Sequence, residues 1–133
     1  MKTNSATIRS QMKRVLKKVP YLTCNGFSVR SGDALEMLSD CTLNEFEIAK
    51  AWLSMCDRRK TVNRNNSSYG YKHMVEDWAG TYISNGAMIA AAIAMDIKVE
   101  PCHYASLNAY FAISSLSVRR LAKLAEERRL ARC

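Results

Sequence analysis

The run Ala87–Met95 places nine consecutive apolar residues between Asn85-Gly86 and Asp96. A membrane-spanning helix takes about 20 apolar residues, so a run of this length reads as a helix of the protein interior. A helix that is apolar on every side must be covered on every side. Any fold of this chain therefore wraps its other elements around residues 84–95, with Ser84 or Asn85 as the N-cap. The 133 residues, 48% apolar and 24% charged, supply enough core for one domain without disulfides or metal. Only two prolines and five glycines interrupt them, which favours helices over a many-turned all-β chain. The expectation is a mainly α fold: a compact single domain, 1–133, of five to six helices around the buried helix 84–95. One or two short β-hairpin-like pairings complete it, and residues 1–5 form a flexible N-terminus.

The covering elements follow from periodicity and caps. Ile8, Met12, Val15, Leu16 and Val19 make one apolar helical stripe over 6–19, which Pro20 ends. Asn25-Gly26 between Tyr21–Cys24 and Phe27–Arg30 is a hairpin signal, with both turn residues at positive φ. Ser31 is expected to cap a short helix to Ser39 with Ala34, Leu35 and Leu38 inward. Thr42-Leu43-Asn44-Glu45 reads as a capping box opening a helix from Leu43 to Lys60 that buries Phe46, Ala49, Trp52 and Leu53. Ser68 is expected to cap a helix from Tyr69 to Ala79, stopped by Gly80. Residues 108–113 are β-prone and suited to pair with 97–99. Ser115 or Ser117 then caps a closing helix from Val118 to Ala131, with Val118, Leu121, Leu124 and Ala125 inward and Leu130 a further candidate.

Five cysteines (Cys24, Cys41, Cys56, Cys102 and Cys133) are odd in number, widely spaced and lack a CxxC pair. That is the pattern of reduced thiols rather than of a disulfide framework or zinc ribbon, and it points to a cytoplasmic protein. Cys24, Cys41 and Cys56 are expected in the core and Cys133 exposed and inert. The basic N-terminus has no apolar stretch behind it, so no secretory signal is expected.

The net charge of +8 is distributed in blocks. Residues 1–30 carry seven cations and no acid, 31–57 carry six acids against Lys50, and 58–72 carry five cations. The closing helix adds Arg119, Arg120, Lys123, Arg128, Arg129 and Arg132 against Glu126 and Glu127. Basic blocks that share a face would form a footprint for phosphate. Lys13, Arg14, Lys17, Lys18, Arg58, Arg59, Lys60, Arg64, Arg119, Arg120 and Arg128 are the candidate contacts to nucleic acid or to an acidic nucleoprotein surface. The alternatives are that the blocks solvate unrelated surfaces, or that the first pairs with the acidic segment. The first cationic helix lacks a Trp or Phe anchor, so no membrane partner is expected.

Residues 68–78 are rich in chemistry. Tyr69, Lys72, His73 and Glu76 share one helical side, and Lys72 and Glu76 can pair at i, i+4. Ser68, Lys72 and His73 at a helix start form a possible anion site; the alternative is a capped helix with core aromatics and solvated charges. His73 and Glu76 supply two metal ligands without a third, and Cys102-His103 are too close in sequence to act as nucleophile and base. No phosphate loop, GxSxG or HExxH is present. No catalytic residue, metal or cofactor is therefore expected. A helix-turn-helix over 69–95 would present Ala, Met and Ile to a major groove, which argues against a recognition helix.

The strings Ser68-Tyr69-Gly70-Tyr71-Lys72-His73, Tyr82-Ile83-Ser84-Asn85-Gly86-Ala87 and Asn108-Ala109-Tyr110-Phe111 resemble those of small uncharacterised proteins of bacterial plasmids, phages and integrated elements. The resemblance implies a bacterial host cytoplasm and an anti-defence role, such as inhibition of a CRISPR complex, or a DNA-handling accessory or regulatory role. The expected function is a non-enzymatic binding protein that engages nucleic acid or a nucleoprotein complex. Its rival is a small enzyme or ligand-binding protein centred on Ser68, Lys72, His73 and Glu76.

Overall fold

A computed structural model describes residues 5–28, 34–103 and 106–132. Its centre is α5 (Asn85–Ala94), the helix of the apolar run, in which every residue from Asn85 to Ala92 is buried. Ser84 caps it: the hydroxyl accepts from the Ala87 amide at 3.1 Å. Four elements cover it: α1 (Ser5–Lys18), α3 (Asp40–Leu53), α4 (Ser68–Ala79) and the hairpin of β1 (Leu22–Thr23) and β2 (Gly26–Phe27). The short α2 (Ala34–Met37) leans on α3 and β1. A second layer is a three-stranded antiparallel sheet of β3 (Arg58–Asn63), β4 (Val99–Pro101) and β5 (Ala109–Ile113), in the order β3-β5-β4. The closing helix α6 (Ser115–Ala131) packs on α4. Tyr71 of α4 stacks on Phe111 of β5 with centroids 5.4 Å apart and tilts against Trp52 of α3 at 6.2 Å, which joins the two layers into one core.

The fold is thus helix-rich around the expected central helix, with two small antiparallel sheets that make it mixed α/β rather than purely α. A pairing forms near the one expected between 97–99 and 108–113, but the first strand lies two residues later, at Val99–Pro101, in register Val99↔Phe111 and Pro101↔Ala109. The strand β3 was not expected. The helix predicted to run to Lys60 stops at Leu53, and Arg58–Lys60 are extended. Past Leu53 that segment has few apolar residues to hold a helix on the core. The Asp57 carbonyl instead accepts from the Ser114 amide at 2.8 Å, and the Asp57 amide donates to Ser117 Oγ at 3.0 Å. At the far end Asn63 turns inward, its Nδ2 donating to the Ile113 carbonyl and to Ser115 Oγ. Partners some fifty residues away override the local helical preference.

Several caps and turns differ from expectation. The hairpin turns at Cys24-Asn25, since Thr23 pairs with Gly26. Gly26, at φ 120°, is needed for close approach as well: a Cβ there would lie 2.0 Å from the Leu107 carbonyl oxygen. Ser39 caps α3, accepting from the Thr42 amide, while Thr42 is buried and donates to the Glu36 carbonyl. Glu45 does not close a capping box; its Oε1 accepts from the Ser84 amide at 2.8 Å and ties α3 to the start of α5. Ser67 rather than Ser68 precedes α4, and Ser114 rather than Ser115 or Ser117 caps α6. Gly80 ends α4 as expected, left-handed at φ 74°.

Leu35, Leu124 and Leu130 face solvent instead of the core, because α2 is a single turn and the apolar residues that α6 buries are Val118, Leu121 and Ala125. Cys56 is buried, Cys24 half-buried and Cys41 exposed, so Cys41 is not a core residue. The expected cap Ser31, residues 1–4 of the expected flexible N-terminus and Cys133 lie outside the described residues. Among the described residues, no helix is long and apolar enough to cross a membrane.

Candidate binding site

Cations of the second and third basic blocks meet at the junction of β5 and α6. Arg58 sits opposite Ile113 in the ladder, and the two Asp57 backbone bonds to Ser114 and Ser117 hold the start of β3 against the first turn of α6. Arg58, Arg59 and Lys60 are exposed, as are Arg119 and Arg120; the Arg120 guanidinium lies 3.7 Å from Asp57 Oδ2. Arg58 and Arg120 are thereby brought to one junction, with Arg59, Lys60 and Arg119 adjoining them in sequence. The other two candidate contacts from these blocks are engaged elsewhere. Arg64 pairs with Glu100 at 3.1 Å and lies over the Tyr110 ring, and Arg128 covers Trp78 two helical turns beyond Arg120.

The first block has a different setting. Lys13, Arg14, Lys17 and Lys18 are exposed on α1, which is held by α3 and α5. Arg14 and Lys18 line a groove at the C-terminal end of α5, shared with Ile93, Ala94 and Asp96, where the helix dipole favours cations. Arg9 reaches Asp40 at 3.9 Å, so this block is in part paired with the acidic segment.

A second constellation forms around Lys72. Its side chain is only 8% exposed, and the ammonium bonds Glu76 Oε2 at 3.0 Å. It lies 4.8 Å from the centroid of Tyr82 and 5.6 Å from that of Tyr69. Both rings are exposed and, with Lys72, Cys24, Asn25, Asn85, Leu107 and Asn108, line a cleft of about 460 Å³. This volume is in the range of small-ligand sites, about 300–1,000 Å³. Asn85, at the first turn of α5, is 5% exposed. Its Nδ2 donates to the carbonyls of Asn25 and Leu107 and to Asn108 Oδ1, fixing two loops, while its Oδ1 has no hydrogen-bond partner.

The residues singled out in sequence divide around this cleft. Lys72 lines it. Ser68 is buried, and its hydroxyl accepts from the Ala109 amide at 3.0 Å, so it holds β5 to α4. His73 stands outside, edge-on to Tyr69 and with Nδ1 2.8 Å from Glu76 Oε1. Glu76 organises the group by accepting from the Ile83 amide at 3.0 Å as well. Burial works against its charge, but the bonds from Ile83, Lys72 and His73 and the positive Lys72 outweigh that and hold the carboxyl below its ordinary value. Nothing in the sequence joined Tyr82, Asn85, Leu107 and Asn108 to Lys72, because only packing brings them together.

The thiols of Cys24, Cys56 and Cys102 are not activated. Burial pushes Cys24 up to about 11 and Cys56 to about 12, and it also raises Cys102. A thiol raised in this way is neutral and weakly nucleophilic at physiological pH. Among the described residues, no group of three His, Cys, Asp or Glu side chains is placed to hold a metal ion.

In comparison with known proteins, no family model matches the chain, and no curated protein or solved structure is significantly similar to it.

Proposed function

We propose that this chain is a non-enzymatic binding protein that engages nucleic acid or a nucleoprotein complex. One observation carries the reading: the strand of Arg58, Arg59 and Lys60 is tied at its start to the first turn of α6, the helix of Arg119 and Arg120, on a chain of net charge +8. Clustered, solvent-exposed guanidinium and ammonium groups suit a phosphate backbone, from which they displace condensed counterions. Edge strands also carry cations to block pairing with other sheets, and β3 is an edge strand. Its neighbours on α6 have no such need, which favours a footprint. The elevated thiols and the structural use of Ser68 favour binding over catalysis. A recognition helix is disfavoured because α5 is interior.

The resemblance of the strings at Ser68–His73, Tyr82–Ala87 and Asn108–Phe111 to proteins of bacterial mobile elements supports a role in the host cytoplasm, and inhibition of a defence complex is its most concrete form. The test is binding to a generic duplex and to a single strand across a salt series. Affinity is expected to fall steeply and linearly on logarithmic axes. Absent or salt-insensitive binding overturns the reading.

A further inference from the structure

We propose that the cleft between Tyr69 and Tyr82 is a nucleobase site, in which a flat base packs on the tyrosine rings and presents a carbonyl or ring-nitrogen acceptor to Lys72. The inference deepens the nucleic-acid reading and rests on it only for a strand as the source of the base; a free nucleotide is the other source of the same chemistry.

Three large apolar side chains left in solvent line this one cleft: Tyr69 at 53% exposed, Tyr82 at 63% and Leu107 at 49%. Such faces gain by covering, and aromatic rings gain most from another flat π-system. At the same cleft lies a charged donor. Among the described residues Lys72 makes one hydrogen bond, to Glu76, and an ammonium has three N–H donors. Its charge repels cationic ligands and draws acceptors. A bare inorganic anion would satisfy Lys72 but leave both rings and Leu107 wet. A purely apolar ligand would cover the rings but strip water from an ammonium without replacing it. A base meets both demands, since its faces are apolar and its edge carries acceptors.

Glu76 is the positioning residue. It fixes the Lys72 ammonium between the rings and, through the Ile83 amide, holds the segment that carries Tyr82. His73 against Tyr69 and Glu76 steadies the other wall.

The test uses the full isotope-labelled chain. AMP, CMP, GMP and UMP are titrated separately at millimolar concentration, with inorganic phosphate as the control, and the side-chain amide signals of Asn85 and Asn108 are followed by NMR. The expected result is a saturable shift with nucleotides, none with phosphate, and loss of the shift in Tyr69→Ala/Tyr82→Ala, whose exposed rings are removed and whose native amide spectrum shows that the fold is kept. Lys72→Met should weaken the shift. No saturable shift with any nucleotide, the same shift with phosphate, or a shift that survives removal of both rings overturns the proposal.

A second arm identifies the source of the base. If it comes from a strand, Tyr69→Ala/Tyr82→Ala loses about tenfold or more in affinity for a single strand and little for a fully paired duplex. An unchanged single-strand affinity beside a nucleotide shift assigns the site to a free nucleotide. Nucleotide binding without any salt-sensitive strand binding upholds the cleft while removing the broader nucleic-acid reading.

Discussion

Lys72 and Glu76 stand one turn apart on α4 and pair at 3.0 Å, with the lysine side chain 8% and the glutamate 19% exposed. On an exposed helix this order, with Lys before Glu, is the weaker one. Here burial makes the pair matter, since each charge has lost most of its water and depends on the other. Glu76 also receives Ile83 and His73, so it is the more heavily used partner.

Glu76→Ala is therefore expected to destabilise the protein by about 3 kcal/mol, the cost of leaving a buried charge without its partner. Lys72→Met should cost less, because Glu76 keeps two other donors and the methionine fills the same space between the rings. Denaturant midpoints of the two variants check the order. A larger loss for Lys72→Met would show that Glu76 does not organise the site.

The same carboxyl predicts a pH dependence. Its value in the fold is below that of the unfolded chain, about 4.3 for glutamate. The stability it contributes is therefore fully present above the unfolded value and is lost as the pH falls towards the folded one. The gap in unfolding free energy between the native chain and Glu76→Gln should shrink between neutral pH and about pH 3. A gap that stays constant would mean that the carboxyl titrates alike in both states.

Gly86→Ala should prevent stable folding or cost more than about 3 kcal/mol. A Cβ there would fall 1.8 Å from the Thr23 carbonyl oxygen, backbone that cannot move because the Cys24 carbonyl accepts from the Gly86 amide. Gly80→Ala meets only the Arg132 guanidinium at an ordinary contact distance of 3.8 Å and carries the left-handed backbone penalty, about 1 kcal/mol. Thermal melts of the pair measure the difference, and equal effects would refute the close-approach argument.

If the β3 and α6 cations form the footprint, Arg58→Gln/Arg59→Gln/Lys60→Gln should weaken polyanion binding and flatten the logarithmic salt slope by up to about 3, roughly one for each phosphate no longer neutralised. Lys13→Gln/Lys17→Gln on α1 should change the slope less. The opposite ranking, read from binding isotherms at several salt concentrations, would move the footprint to α1.

What was legible in the sequence was whatever a short stretch settles by itself. The apolar run at Ala87–Met95 had to be interior because it has no polar face, and Ser84 caps it. The stripe from Ile8 to Val19 and the stop at Gly80 follow from local periodicity and from a left-handed glycine. A pairing near residues 97–99 with 108–113 showed in their β-prone composition, though β4 lies two residues later. The segment Arg58–Asn63 could not be read in this way. Its extended form is imposed by Ser114, Ser117 and Ile113, about fifty to sixty residues distant, and the junction that brings Arg58 and Arg120 together follows from that imposition.

The cleft shows the same division. Lys72, Glu76 and Tyr69 share a helical side by their spacing alone, which the sequence determines. Tyr82, Asn85, Leu107 and Asn108 reach them only because α5 is enclosed, so that the loops at its start close over one another and Asn85 joins them. Local spacing fixes which side chains point the same way from one helix. Which side chains from separate segments share a cleft depends on how the segments pack, and only the tertiary structure decided that.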